Sequence, residues 1–479
     1  MLPQRDVEDQ FLIAFKAKYM NSLQESLRTK LASFINRISF EDLPPQVVRQ
    51  AKLCVLDLIG VSIVGNTQKT TSIVINLIAV TDRCKEATIW GSDRKVSILT
   101  ASLINAVQGH AIDMDDGHRF ANGHPGVVTI PAAVAIGERE NLSGKALIEA
   151  VVLGYEVFIR LGSAANPDLL LKGFHTTATI GTFASAVVAS KLLGLNNIQT
   201  ENALALAGLQ SAGLLEALSS GESGKSFQVG KASQSGVMSG LMAQKGADGP
   251  VDIFEGEKGF CRAFVGKECD NQAICKDFGK DFQITNVYCK QHAACRHIHT
   301  ALDATAEIVS RHDLIPEEIE SIEVETYSIA NNLTGHISPA DSVLGAKFST
   351  PVSIALFLVF KKTNFSAYAS QYLSDPMVRA IAEKIVVTVN PQRDVNYPRE
   401  RSARVRIQTK NHFYEHEMPL PKGEPESPLS KDEFMHKFQQ NALSLYSKTQ
   451  VDKIRDIILD LENRKVREIT ELLVAPSAS

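Results

Sequence analysis

Apolar residues recur at helical spacing almost from the start of the chain. Leu27, Leu31, Phe34, Ile35 and Ile38 line one face of a helix over 24–39. The pair Pro44-Pro45 suits a helix start, because the first turn has no use for the missing N–H. A strongly apolar helix follows over 47–63, and Gly65-Asn66 stops it. Similar patterns predict helices over 97–108, 131–139, 145–161, 179–193, 200–218 and 231–244, with Ser143 and Thr200 of the right type for N-caps. Residues 1–23 are mixed and read as a leader helix or loose arm, and 88–90 as a short strand or packed turn. Ala, Gly and Ser stand three and four apart, as in Gly181, Ser185 and Ala189 or Gly236, Ser239 and Gly240. Small residues at that spacing let helices approach closely.

After about residue 280 the period changes from helical to alternating. IESIEVETY at 319–327, KIVVTV at 384–389 and ARVRIQ at 403–408 read as strands, and 409–412 turns into a further arm at 413–418. Helices over 300–311 and 353–360 lie between them. The fold class expected is therefore mainly α, with a large all-helical domain at 24–275 and a smaller α+β domain at 276–425. C-terminal helices over 426–479 are expected to pack back on the first domain.

Composition narrows the class without naming a function. The 479 residues carry a net charge of −4, with 44% hydrophobic and 22% charged positions, as in ordinary globular proteins. One Trp and no basic block interleaved with aromatics argue against nucleic acid as a partner. The longest apolar runs, 73–80 and 352–360, fall short of the roughly 20 residues a bilayer span needs. Acids in MLPQRDVEDQF oppose a signal peptide. Seven cysteines with no CxxC pair argue against a zinc site or a disulfide framework, so a reducing cytoplasm is the expected compartment.

Three polar stretches interrupt the apolar pattern. Residues 109–126, GHAIDMDDGHRFANGHPG, hold three carboxylates, three imidazoles, one guanidinium and four glycines. Carboxylates and imidazoles are the groups that move protons near neutral pH. Asp113 follows a predicted helix C-terminus, whose partial negative charge favours a protonated carboxyl. His175 precedes a small-residue helix, and a helix N-terminus depresses an imidazole and attracts anions. Lys225 lies in Gly221-Glu222-Ser223-Gly224-Lys225-Ser226, which is no phosphate loop because Ser219 stands where that motif needs its first glycine. The third stretch, 290–299, gathers three imidazoles, two cations and a thiol at offsets unlike those of metal ligands, so no metal is expected. Ala346-Lys347-Phe348-Ser349-Thr350-Pro351 leads into an apolar helix and adds polar groups to the same cleft.

Taken in order, GHAIDMDDGHRFANGHPG, GFHTTATIGTFASAVVASKLLGL, SGKSFQVGKASQSGVMSGLMA, EGEKGFCRAF, CKQHAACRHIHTALDA and AKFSTPVSIAL resemble the MmgE/PrpD family. The likeness spans about residues 40–470. That family includes 2-methylcitrate dehydratase, cis-aconitate decarboxylase and iminodisuccinate epimerase. The resemblance implies a helical domain, an α+β lid, a homodimer and catalysis with no metal or organic cofactor. It places the catalytic roles on Asp113, His124, His175 and Lys225, with Cys295 where the family has a further histidine and His299 nearby. The acid/base pair expected is His124 with Asp113, and His175 is a second proton carrier. His118, Arg119, Arg296, Cys295 and His299 are candidates for substrate binding. The function implied is a cofactor-independent lyase that dehydrates or decarboxylates a small anionic di- or tricarboxylate. Alternatives are an epimerase and a non-catalytic carboxylate-binding protein.

Overall fold

Close helix packing organises the N-terminal half of the computed structural model, which describes residues 25–219, 224–337 and 342–475. The expected leader arm at 1–23 and residues 221–223 of the Lys225 stretch lie outside the described residues. The long helices here are α1 (Leu27–Arg37), α2 (Pro45–Asn66), α3 (Ile98–His110), α4 (Gly126–Arg139), α5 (Gly144–Ala165), α6 (Thr176–Leu192), α7 (Asn197–Gln210) and α8 (Gly224–Gln244). Helix α8 packs on both α6 and α3, and α5 packs on α6. The small residues make this possible. A Cβ on Gly236 would stand 2.4 Å from Ser185 Cβ, and one on Gly65 would stand 1.8 Å from the Gln108 carbonyl oxygen. That second contact clamps α2 against the end of α3, where the first polar stretch begins.

Several boundaries differ from the sequence expectation. Helix α4 starts at Gly126 and carries Pro131 inside it. Helix α7 is capped by Asn196, with Gln199 completing a capping box, while Thr200 is buried within the helix. It ends at Gln210 rather than 218, because the chain then extends to pair with the loop ahead of α6: His175 N–H donates to the Gly213 carbonyl at 3.1 Å. Helix α8 begins at Gly224, seven residues before the expected start, so Lys225 sits in its first turn. The anticipated strand is a two-residue ribbon, Ala87–Thr88 against Lys95–Val96. Cys261 and Cys269 form a disulfide, where no disulfide framework was expected. It is a single local link, reached because Gly266 in the left-handed region (φ 89°) folds the chain back.

The C-terminal part adds α9 (Arg296–Arg311), α10 (Thr350–Phe360) and a four-stranded sheet. Its strands are β1 (Ile319–Thr326), β2 (Ile385–Val389), β3 (Ala403–Thr409) and β4 (Phe413–Met418), in spatial order β2-β1-β3-β4. β1 runs parallel to β2 and antiparallel to β3, with Val324 opposite both Val387 and Val405. The fold is mainly α with a smaller α+β part. Helices α11 (Lys431–Ala442), α12 (Lys448–Leu459) and α13 (Val466–Leu472) return to the helical half, α11 and α12 on α2 and α13 on α4. Among the described residues no helix is long and apolar enough to cross a membrane.

Two apolar cores result. The larger holds the helices of the first half together with Phe438, Ile454 and Val466 of the tail. The smaller surrounds α9, α10 and the sheet, and it includes Ile112 and Met114 from the first polar stretch. Asp113, between those two, therefore stands at the seam of the cores. Lys437 of α11 fixes that seam by pairing with Asp57 at 2.7 Å and donating to the Met114 carbonyl at 3.0 Å.

Candidate active site

Asp113 follows α3 in a left-handed backbone conformation, φ 56°. Left-handed backbone is uncommon outside glycine and gathers at functional sites, and aspartate is among the residues that tolerate it. The turn aims the carboxylate inward, where its side chain is 3% exposed. Lys225, from the first turn of α8, donates to Asp113 Oδ1 at 2.8 Å. Lys290, from the segment before α9, donates to the same oxygen at 3.1 Å and to the Asp113 carbonyl at 3.0 Å. The other carboxylate oxygen, Oδ2, is buried without a hydrogen-bond partner among the described residues. A third ammonium belongs to Lys347, which ends the short helix Val343–Lys347 and donates to the Ile112 carbonyl at 3.2 Å.

These charges reverse one expectation. Burial raises the Asp113 carboxyl, yet Lys225 and Lys290, with His110 and His124 behind them, outweigh it and hold it well below the usual range. Asp113 is thus a permanent carboxylate that gathers lysines, and not the protonatable acid that its place beyond a helix C-terminus suggested. The dipole of a helix end is worth roughly 1 kcal/mol, less than two buried ammonium groups in contact.

Three imidazoles flank this group. The ring centroid of His110 lies 5.0 Å from that of His124 and 5.9 Å from that of His175. His124 Nδ1 faces the Asp116 carbonyl at 2.5 Å and Asp115 Oδ2 at 3.4 Å. Both neighbours are acceptors, so this geometry assigns the proton to Nδ1 and leaves the Nε2 lone pair bare. His110 Nδ1 likewise donates to Asp115 Oδ2 at 2.8 Å, and its buried Nε2 has no partner among the described residues. His175, at the N-cap of α6, places Nδ1 3.3 Å from Gln228 Oε1. Burial, reinforced by the neighbouring cations, drives His110 and His124 well below the ordinary 6.5 and His175 down to about 3. All three are neutral bases at physiological pH.

Asp116 carries no catalytic contact but braces the loop. Its carboxyl accepts Tyr155 Oη–H at 2.6 Å and the Gly126 N–H at 3.1 Å, and burial lifts it to about 7. His110, Asp115 and His124 each present one ligand-type atom within 4.8 Å of the others, and they are the only described set able to hold a metal ion. In the structure Asp115 is hydrogen-bonded to His110, and His124 Nδ1 lies 3.4 Å from the same oxygen.

Asp113, His124, His175 and Lys225 are brought together as expected, and Cys295 joins them. Its thiol is buried, and burial followed by the charge of Asp113 pushes it above its ordinary value, so it is a protonated thiol. The other four candidates lie in a separate network. Arg296 donates to Glu424 at 2.9 and 3.2 Å, to the Lys422 carbonyl and to His299 Nδ1. His299 spends its remaining N–H on the Ala294 carbonyl at 3.1 Å. Arg119 is paired with Glu426, and His118 accepts the Ala121 N–H at 3.1 Å. Both guanidinium groups are matched to carboxylates in this structure. They tie the first polar stretch to the segment around Glu424.

Sequence reasoning overlooked His110, Asp115, Lys290 and Lys347 as individual residues. Their signal was present, since His110, Asp115 and Lys290 lie inside two of the three polar stretches and Lys347 lies in the segment 346–351 that leads into an apolar helix.

Comparison with known proteins gives two family-model matches and several relatives. Residues 29–272 match the MmgE/PrpD N-terminal domain and residues 292–463 match the MmgE/PrpD C-terminal domain. A cis-aconitate decarboxylase of Aspergillus terreus is 25% identical over 96% of this chain and 98% of its own length. A cis-aconitate decarboxylase of Homo sapiens is 24% identical over 95% of each chain. The mitochondrial 2-methylcitrate dehydratase of Yarrowia lipolytica is 24% identical over 70% of this chain and 67% of its own.

Proposed function

The chain belongs to the MmgE/PrpD family and is a lyase, and we propose that it acts on a small di- or tricarboxylic acid by removing a proton next to a carboxylate. One observation carries the choice of substrate class. Three buried lysines meet around the Asp113 turn, Lys225 and Lys290 on its carboxylate and Lys347 on the Ile112 carbonyl, beside three neutral imidazoles. Excess positive charge in a water-poor site calls for an anionic ligand.

In this reading His124 Nε2 takes the proton, and the Asp115 carboxylate stabilises the imidazolium that forms. The electron pair left on carbon spreads into the neighbouring carboxylate, where Lys225 and Lys290 stabilise it. In dehydration the β-hydroxyl then leaves as water with a proton returned by an imidazolium. In decarboxylation no proton is removed first: the C–C bond to the departing CO2 breaks, its electron pair stays on carbon, and a solvent proton relayed by an imidazole takes the place of CO2. His175 is the second proton carrier, and Lys290 and Lys347 replace Arg119 and Arg296 as the groups that hold substrate. No step is routed through a metal or organic cofactor.

Incubating the enzyme with cis-aconitate, 2-methylcitrate and iminodisuccinate in deuterated water tests the proposal. Loss of CO2 or water from one of them is the expected result. Exchange without loss of mass would make the enzyme an epimerase, and no exchange with any of them would leave only a binding protein.

We take the division of the chain as a helical domain at 24–275, a lid at 276–425 and returning helices at 426–479, acting as a cytoplasmic homodimer. An exposed apolar stripe supports the dimer: Phe227, Met238 and Met242 share one face of α8, beside exposed Ile73 and Leu77. Light scattering is expected to give twice the 52.2 kDa chain mass, and a monomer at micromolar concentration would refute the assembly.

A further inference from the structure

Lys347 differs from the other lysines of the site in what it is bonded to. Lys225 and Lys290 each ion-pair with Asp113. Lys347 is 3% exposed, and among the described residues its Nζ has one hydrogen bond, to the Ile112 carbonyl. No described carboxylate lies within ion-pairing distance of it. An ammonium has three N–H groups, so two are left without an acceptor among the described residues, on a side chain that is buried. A buried cation in that state is costly until an anion arrives.

Its position is nonetheless well held. The Lys347 carbonyl accepts the Cys295 N–H at 2.9 Å, and the Nζ lies 5.9 Å from the centre of the Tyr368 ring. Flanking Ala346 and Phe348 are buried in the smaller core, while Ile112 ties the ammonium to the Asp113 turn. Lys347 thus reaches the site from the α+β side, whereas Lys225 comes from the helical side.

We propose that Lys347 receives a carboxylate of the substrate other than the one at the reacting carbon, which makes it the residue that selects for polycarboxylates. This inference rests on the lyase reading given above. The titratable groups bearing on Lys347 are Asp113, Lys225, Lys290, Cys295 and Tyr368. Burial lowers the amine to about 8, with Asp113 opposing and Lys225 and Lys290 adding to the shift. A carboxylate bound to the ammonium raises it again. Ligand binding above pH 8 therefore takes up a proton, while binding at lower pH, where the ammonium already exists, does not.

Calorimetry with tricarballylate, a saturated tricarboxylate that has no hydroxyl to lose, tests this in buffers of different ionisation heat. Wild type is expected to take up about three-quarters of a proton on binding at about pH 8.5 and almost none at about pH 6.5. Lys347→Met is expected to weaken binding about 10- to 100-fold and to abolish the uptake. Lys347→Arg keeps a charge that does not titrate and is expected to bind without uptake. Wild-type binding with no uptake needs no variant to interpret and overturns the inference, as does a Lys347→Met variant that matches wild type in affinity and uptake. So does failure to bind tricarballylate by an enzyme that turns over one of the three acids above. If it neither binds tricarballylate nor turns over any of them, the lyase reading falls and takes this inference with it.

Discussion

Replacing His124 with alanine is expected to lower turnover of the true substrate by about 10²- to 10⁴-fold, the usual worth of a positioned general base. The residue owes this role to its surroundings. Its Nδ1 proton is committed to the Asp116 carbonyl and to Asp115, so the free lone pair is on Nε2. Burial, with Asp115 opposing and the nearby cations assisting, keeps the ring neutral well below the ordinary 6.5. The base form is lost only as pH falls through that depressed value, so wild-type kcat/KM is expected to stay level across neutral pH and to fall on the acid side of pH 6.5. The Ala variant keeps binding, because the lysines are untouched. A variant with wild-type turnover would show that another group removes the proton.

Asp113→Asn carries the largest expected cost in stability. The amide is close to the same shape and tolerates the left-handed backbone, so the change is almost purely one of charge. It leaves Lys225 and Lys290 buried with no carboxylate, a loss of about 3–5 kcal/mol for a broken buried pair. A urea titration read by circular dichroism measures it, and an unchanged midpoint would mean that the lysines find other partners. The sign with pH is fixed by linkage. The folded-state value of Asp113 lies well below the ordinary 3.8, so the stability it contributes is complete above about pH 4. It is lost as pH falls through the folded value. The Asn variant is expected to lack that acid-dependent component. Activity should fall as well, since the lysines lose the anchor that sets their positions.

Strand β3 was legible because it alternates with a period of two: Ala403, Val405 and Ile407 are buried and their neighbours are only half-buried. Helices α3, α5 and α6 were legible from their dense apolar and small residues, which in α5 are broken only by charged positions such as Glu149 and Glu156. Helix α7 was misjudged at its end because Gly213 and Leu214 pair with the loop before α6, a contact distant in sequence. The start of α8 was misjudged because Gly224 and the polar residues around it resemble a loop, although packing on α3 and α6 makes that turn helical.

For the site, local sequence identified the chemistry and misassigned some of the charges. Arg119 and Arg296 looked like carboxylate clamps, yet Glu424 and Glu426, more than a hundred residues away along the chain, had already claimed them. Asp113 looked like an acid because only its own helix was in view. The sequence by itself determined which residues stand at each polar interruption, the periods that make helices and strands, and the likeness to a family of lyases. Tertiary structure alone decided ionisation and partnership. A side chain's charge depends on the groups within a few ångströms of it, and in this fold those groups come from α3, α8, the segment before α9 and the helix that ends at Lys347.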